Sequence, residues 1–276
     1  MSGPPRDRPE QPRRTEARNE KARGLESFTT LQILELMNDE DSTVPAAVRS
    51  ALPAIATAVD EIAKALGAGH RLRYVGAGTS GRLGVLDASE APPTFGVDED
   101  VVRGIIAGGD EALRHAVEGA EDDSSAGARA ARDHVRAGDV LVGISASGRA
   151  KFVTAAMVMA RELGARTVAL TCDDSSPLAK DADITIAVDV GPEVLAGSSR
   201  LKAGTATKLV LNMLSTTAMI RSGRTRGDLM VDLRPTNAKL KERAVRMVRD
   251  EAHVSEDEAR ARLEAAGWSV RKALER

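Results

Sequence analysis

At 276 residues the chain can bury the core of one large α/β domain and carry a small appendage. Its 39 Lys and Arg against 41 Asp and Glu leave a formal charge of −2 with no basic stripe, and only 2% of residues are aromatic, so the charge and stacking platforms of a nucleic-acid binder are absent. One cysteine, Cys172, excludes an internal disulfide, the histidines (His70, His115, His134, His253) have no zinc spacing, and no run of about 18 apolar residues or apolar signal core occurs. The expectation is a cytoplasmic chain with no metal, no membrane and no nucleic-acid partner.

Residues 1–22 carry Pro4, Pro5, Pro9 and Pro12 among charges and have almost nothing to bury, so a disordered charged tail is expected there. Leu25, Phe28, Leu31 and Leu34 to Met37 suggest a short amphipathic helix. Val44, Val48, Leu52, Ile55, Val59, Ile62 and Leu66 then recur at helical steps, a long stripe that Pro53 is expected to bend. From His70 onward strands and helices alternate. The strand candidates are Leu72–Val75, Val101–Ile106, Val140–Ile144, Thr167–Thr171 and Ile184–Val188, and the helices between them are Ser80–Ser89, Glu111–Ala120, Ala126–Arg136 and Phe152–Leu163. Several strands are continuous β-branched runs, as in strands covered on both faces, so the expected fold is a three-layer α/β sandwich with a parallel five-stranded sheet. A long apolar helix, Leu201 to Ile220, follows. Beyond Asn237 a charged helix leads into a small helical module starting near Ser255, which divides the chain into 1–22, 23–235 and 236–276.

Two loops at strand ends carry the chemistry. Gly76-Ala77-Gly78-Thr79-Ser80-Gly81 joins the first strand to a helix, an anion site in which free amides, the helix dipole and the Thr79 and Ser80 hydroxyls face one point. That helix is expected to stop before Pro92-Pro93, leaving Glu90 beside the stop as a reacting carboxylate. Gly76, Gly78 and Gly81 also match the dinucleotide fingerprint, but the acidic residue wanted about 20 positions on is met only late, by Asp110. The second loop, Ser145-Ala146-Ser147-Gly148-Arg149, offers two hydroxyls and the Gly148 N–H, which suit the oxygens of a phosphate monoester. A dinucleotide fold needs no second hydroxyl-rich loop, whereas a sugar phosphate does. Glu118 and Glu121 would share a face if a helix ran through Gly119, and a solvated face is the plainer reading of that spacing.

The stretch Gly76–Gly96, the Ser145–Arg149 loop, Glu118–Glu121 and the run Ser198-Ser199-Arg200-Leu201-Lys202-Ala203-Gly204-Thr205-Ala206 resemble the N-acetylmuramic acid 6-phosphate etherase family, from about Thr15-Glu16-Ala17-Arg18-Asn19 through Asp228-Leu229-Met230-Val231-Asp232 and Thr236-Asn237. The resemblance implies a sugar isomerase (SIS), flavodoxin-like fold with a UBA-like C-terminal helical module, and a homodimer. It implies a cytoplasmic lyase of cell-wall sugar recycling that splits the D-lactyl ether of its substrate by elimination and water addition, with no cofactor because the aldehyde is the electron sink. Glu90 would protonate departing lactate and Glu121 would be the base at carbon 2, with Glu118 second; a protonated acid and an ionised base want different surroundings. Gly78, Thr79, Ser80, Ser145, Ser147 and Gly148 would hold the sugar phosphate, and Arg200 and Lys202 the lactyl carboxylate. The alternative is a non-catalytic sugar-phosphate sensor, like the glucokinase regulatory relatives, which would need neither glutamate.

Overall fold

The computed structural model describes residues 14–275. Residues 1–13 of the expected tail lie outside them. Within the rest of that stretch, Arg14–Glu16 and Glu20–Ala22 form short 3-10 turns, and Lys21 Nζ reaches Glu40 Oε1 at 2.9 Å.

Thr29 caps α1 (Thr30–Asp41) through a reciprocal pair with Gln32. The apolar stripe that follows is two helices rather than one bent rod. α2 (Val44–Ser50) stops at Ala51, and α3 (Leu52–Gly67) starts with Pro53 in its first turn, where the missing N–H costs nothing. Their inward residues Val44, Val48, Ile55, Val59 and Ile62 are all buried, each worth about 1.5–3 kcal/mol.

Five parallel strands form the centre: β1 (Leu72–Gly76), β2 (Val102–Ile106), β3 (Val140–Ile144), β4 (Arg166–Thr171) and β5 (Ile184–Ala187), in the order β2-β1-β3-β4-β5. Successive side chains alternate between faces. Leu72, Tyr74, Val140, Val142 and Ile144 meet α2, α3, α4 (Gly78–Phe95) and α8 (Lys202–Arg221). Val75, Leu141 and Ala169 meet α5 (Ser124–His134), α6 (Lys151–Glu162) and the single turn α7 (Pro177–Lys180). Both faces are dry, which is why β1 and β3 are buried at every position. Arg73 is buried in β1, giving hydrogen bonds to His134 O, Asp100 O and Asp100 Oδ1. Cys172 is buried too, and desolvation pushes its thiol up to about 12, so it packs as an inert apolar group.

α5 and α6 cross closely at Gly127, where an added Cβ would lie 2.0 Å from Phe152 O. Backbone cannot retreat as a side chain can. Gly127→Ala is expected to destabilise the protein by about 1–3 kcal/mol, measured by urea unfolding. An unchanged midpoint would mean that the two helices do not cross here.

Beyond α8, a 16-residue connection leads to α9 (Ala238–Ala252), α10 (Glu256–Ala265) and α11 (Val270–Leu274). Ser255 caps α10 as its sequence predicts. The three helices share a core of Ala244, Val245, Val248, Ala259, Leu263, Val270 and Ala273, to which Val231 and Leu233 of the connection contribute.

Candidate active site

The chain crosses from β1 outward to β2 and then back past β1 to β3, so the carboxyl ends of β1 and β3 border the switch point of this strand order, where ligands of such sheets bind. Gly76 pairs with Ile144 in register, so the loops that follow the two strands emerge side by side. A cavity of about 220 Å³ opens there, lined by Ala77 and Ser80 from one loop, Ser145, Ala146 and Ser147 from the other, and Glu121 from a third. Gly197 and Ser199 from the segment before α8, with Thr15 and Glu16 from the N-terminal arm, complete the wall.

Glycine is required where β1 turns into α4. A Cβ at Gly76 would lie 2.6 Å from Gly81 N, and one at Gly81 would lie 2.6 Å from Ile106 Cγ1. That close approach brings the start of α4, with Ser80 in its first turn, against the strand end. The first-turn amides of α4 have no intrahelical partners, and the dipole favours an anion there.

Glu121 reaches the cavity because the expected helix over 111–120 does not form. A 3-10 turn covers Gly109–Leu113, and Gly119, with φ at 71°, turns the chain into a second one at Ala120–Asp122. A left-handed corner is what glycine permits. It parts Glu121, which lines the cavity, from Glu118, which does not.

Other sequence candidates sit elsewhere. Gly148 N–H closes a turn onto Ser145 O at 2.9 Å, and a Cβ at this buried glycine, with φ at 63°, would fall 2.1 Å from Ser176 Oγ. Gly148 thus shapes the loop, and its amide is already used. Gly78 and Thr79 flank Ser80 without lining the cavity; the Thr79 methyl faces Gly204 of α8. Arg200 is exposed next to Ser199. Lys202 is buried, and its ammonium lies 2.6 Å from Glu40 Oε2. The Lys202 and Ala203 amides donate to the two oxygens of buried Glu193 at 2.9 and 3.0 Å. The lysine therefore belongs to the support of the cavity wall: Lys21 of the arm and Lys202 of α8 grip the same Glu40 on α1.

α4 does not stop at Pro92-Pro93. It runs to Phe95 and is capped by Gly96, whose N–H donates to Pro92 O. Both prolines sit in the last turns with φ already helical, and buried Ala88, Ala91 and Phe95 hold those turns on the core. Glu90 lies ten residues beyond Ser80, so about 15 Å further along the axis. It lines a second cavity, of about 210 Å³, with Asp87, Thr94, Asn212, Thr216 and Asp228. Asp87 fixes the rotation of α4: its carboxylate accepts Tyr74 Oη at 2.8 Å, Asn212 Nδ2 at 2.8 Å and Ser215 Oγ at 3.2 Å. Burial raises the Asp87 carboxyl above its ordinary range, and the three donors only partly oppose that. One chain thus brings together Ser80, Ser145, Ser147 and Glu121, and holds Glu90 apart. Thr15, Glu16, Gly197 and Ser199 line the cavity as well, and the sequence alone assigns none of them a role in the site.

Among the described residues no group of three or more His, Cys, Asp or Glu side chains could hold a metal ion, and no helix is long and apolar enough to cross a membrane. Residues 54–161 match the glucokinase regulatory protein N-terminal SIS domain, and residues 121–217 match the SIS domain. Solved structures with this fold include a phosphoheptose isomerase from Francisella tularensis (TM-score 0.54, 18% identity, 70% of this chain and 100% of that one). Another is phosphoheptose isomerase GmhA from Neisseria gonorrhoeae (TM-score 0.53, 21% identity, 69% and 98%). Among curated proteins, the N-acetylmuramic acid 6-phosphate etherase of Symbiobacterium thermophilum is 53% identical over 260 residues, covering 94% of this chain and 87% of that one. The etherase of Jannaschia sp. is 52% identical over 261 residues, covering 94% and 83%. With the five-stranded parallel SIS sheet and this identity along nearly its whole length, the chain belongs to the N-acetylmuramic acid 6-phosphate etherase family.

Proposed function

We propose that this protein is a carbon–oxygen lyase that converts N-acetylmuramic acid 6-phosphate to N-acetylglucosamine 6-phosphate and D-lactate; its relatives' name states for them an etherase of that sugar phosphate. The observation that carries the reading is the meeting of two hydroxyl-bearing loops with the Glu121 carboxylate in a single cavity at the switch point. Ser80, Ser145 and Ser147, with the first-turn amides of α4, hold the phosphate. Glu121 takes the proton from carbon 2 of the open-chain aldehyde, where the carbonyl accepts the electron pair. The carbon 3–oxygen bond then breaks, and lactate leaves with a proton from Glu90. Water adds to carbon 3 of the unsaturated aldehyde, and the proton returns to carbon 2. No cofactor enters this chemistry. Arg200, exposed beside Ser199, is the cation that meets the lactyl carboxylate; Lys202, already paired, is not.

Glu90 joins this site from a second copy of the chain, in a homodimer. Exposed apolar side chains surround both glutamates: Leu86 (54% exposed) one turn before Glu90, Ile220 (46%) lining the Glu90 cavity, and Val117 (39%) and Leu195 (58%) near Glu121 and Gly197. Surface of this kind is what a subunit contact covers.

The test is incubation with N-acetylmuramic acid 6-phosphate in deuterated water. Free D-lactate and deuterium at carbon 2 of the product are expected. Binding of the sugar phosphate with no lactate would make the chain a sensor.

A further inference from the structure

A second charged space lies between the α/β body and the C-terminal helices, where the reaction has no use for it. This cleft, of about 610 Å³, is lined by Arg224, Arg234, Lys241, Arg271 and Lys272, with the indole of Trp268. Asp232 is the one carboxylate lining it among the described residues. It is already bonded to Arg271 Nε and Nη2 at 2.6 and 3.0 Å, with Arg224 Nη1 at 3.8 Å. Arg234 reaches outward to the highly exposed Asp98 at 2.8 Å, and Glu275 lies near enough to act on Arg271. Lys241 Nζ stands 4.9 Å from the Trp268 ring centre. Neither Lys241 nor Lys272 has a carboxylate within ion-pair distance among the described residues, so the cleft keeps an excess of positive charge.

The backbone points to the same place. Gly267, with φ at 62°, is enough to end α10, yet Trp268 follows with φ at 63°. A bulky residue in the left-handed region is an outlier, and such strain gathers at ligand clamps. Here it sets a half-buried indole on the wall of the cleft, while the backbone N–H of Trp268 donates to Leu263 O at 2.7 Å.

We infer that this cleft is a second binding site, for a small phosphate-bearing anion whose organic part lies on Trp268 while Lys241, Lys272 and Arg224 meet its charge. The connection that forms one wall, with Arg224 and Val231 to Leu233, also supplies Thr225, Gly227, Asp228 and Met230 to the Glu90 cavity. An occupant therefore touches the segment that walls the proposed acid.

Trp268 is the only tryptophan of the chain, so its emission reads this cleft alone. Titrating the full-length protein with inorganic pyrophosphate is expected to change that emission saturably, and added sodium chloride should weaken the binding. Lys272→Glu and Arg224→Glu should each weaken it by about tenfold or more, with circular dichroism confirming an unchanged fold. Lys239→Glu, on α9 but outside the cleft, and Ser147→Ala, in the catalytic cavity, should titrate like the parent. No saturable change, an equal change in Lys272→Glu and Arg224→Glu, or a change lost in Ser147→Ala would each overturn the assignment. The readout needs no turnover, so it stands apart from the lyase reading.

Discussion

Replacing Glu121 with Gln is expected to lower kcat/KM for lactate release by roughly a hundred- to ten-thousand-fold, the usual worth of a positioned general base. The amide keeps the size and reach of the side chain and removes only its capacity to take a proton. Glu121 is exposed on a 3-10 turn, so stability should change by about 0.5 kcal/mol at most. Deuterium exchange at carbon 2 should vanish with it. Glu90→Gln is expected to stop lactate release while leaving that exchange in place, because proton removal precedes carbon–oxygen cleavage. Mixing the two variants under conditions that exchange subunits gives mixed dimers with one intact pair of glutamates. About a quarter of the parent activity should return, since half the dimers are mixed and each has one of two sites complete. Exchange that persists in Glu121→Gln would move the base to Glu16, the other carboxylate of the cavity, and mixtures that stay inactive would end the shared site.

The second large effect falls on stability. Glu40→Ala is expected to cost about 3–5 kcal/mol, because it strands the buried Lys202 ammonium without its 2.6 Å partner. At this chain length that corresponds to a melting point lower by roughly 6–20 °C. Lys21, mostly exposed, can turn to water when Glu40 is gone, so it adds little to the loss. Replacing the pair together, Glu40→Leu with Lys202→Met, should recover most of the stability, which a calorimetric series can read directly. The pH dependence has a definite sign. Burial alone would raise the Glu40 carboxyl, yet the hydrogen bonds from Lys202 and Lys21 outweigh it and hold it below its ordinary range. A carboxyl depressed by folding contributes stability above its unfolded value, and that share is lost as pH falls through the folded one. The acid limb of the stability curve should therefore flatten in the double variant. An unchanged limb would mean that Glu40 is not what titrates.

Much of this architecture is legible in residue order because burial on both faces leaves a plain signature. Val140-Leu141-Val142-Gly143-Ile144 has no polar position to offer solvent, and it is β3 to the residue. The misreadings come from local rules that tertiary packing outweighs. Pro92-Pro93 looks like a stop, yet three buried neighbours hold α4 through it. Residues 111–120 carry a helical pattern, but Gly108, Gly109 and Gly119 all adopt left-handed conformations, and the segment becomes turns. Lys202 looks like a ligand for an anion because its charge is visible in the sequence. Its partner, Glu40, lies 162 residues away on α1, and no local pattern connects the two. The arm around Thr15 and Glu16 was hidden for a related reason: its composition argues against a core, whereas its place is set by single contacts, Lys21 on Glu40 and Asn19 on Pro192 O.

The unbroken run of α4 from Gly78 to Phe95 has a consequence for how this chain can change over time. Adding one residue between Gly84 and Asp87 would swing Glu90 by about 100° around the axis relative to Ser80 and move it about 1.5 Å outward. Asp87 would leave Tyr74 in the same step. Side chains on the outer face of the rod are free to drift, while its length is not, so descendants of this sequence should differ along 78–95 by replacement and hardly ever by a gap.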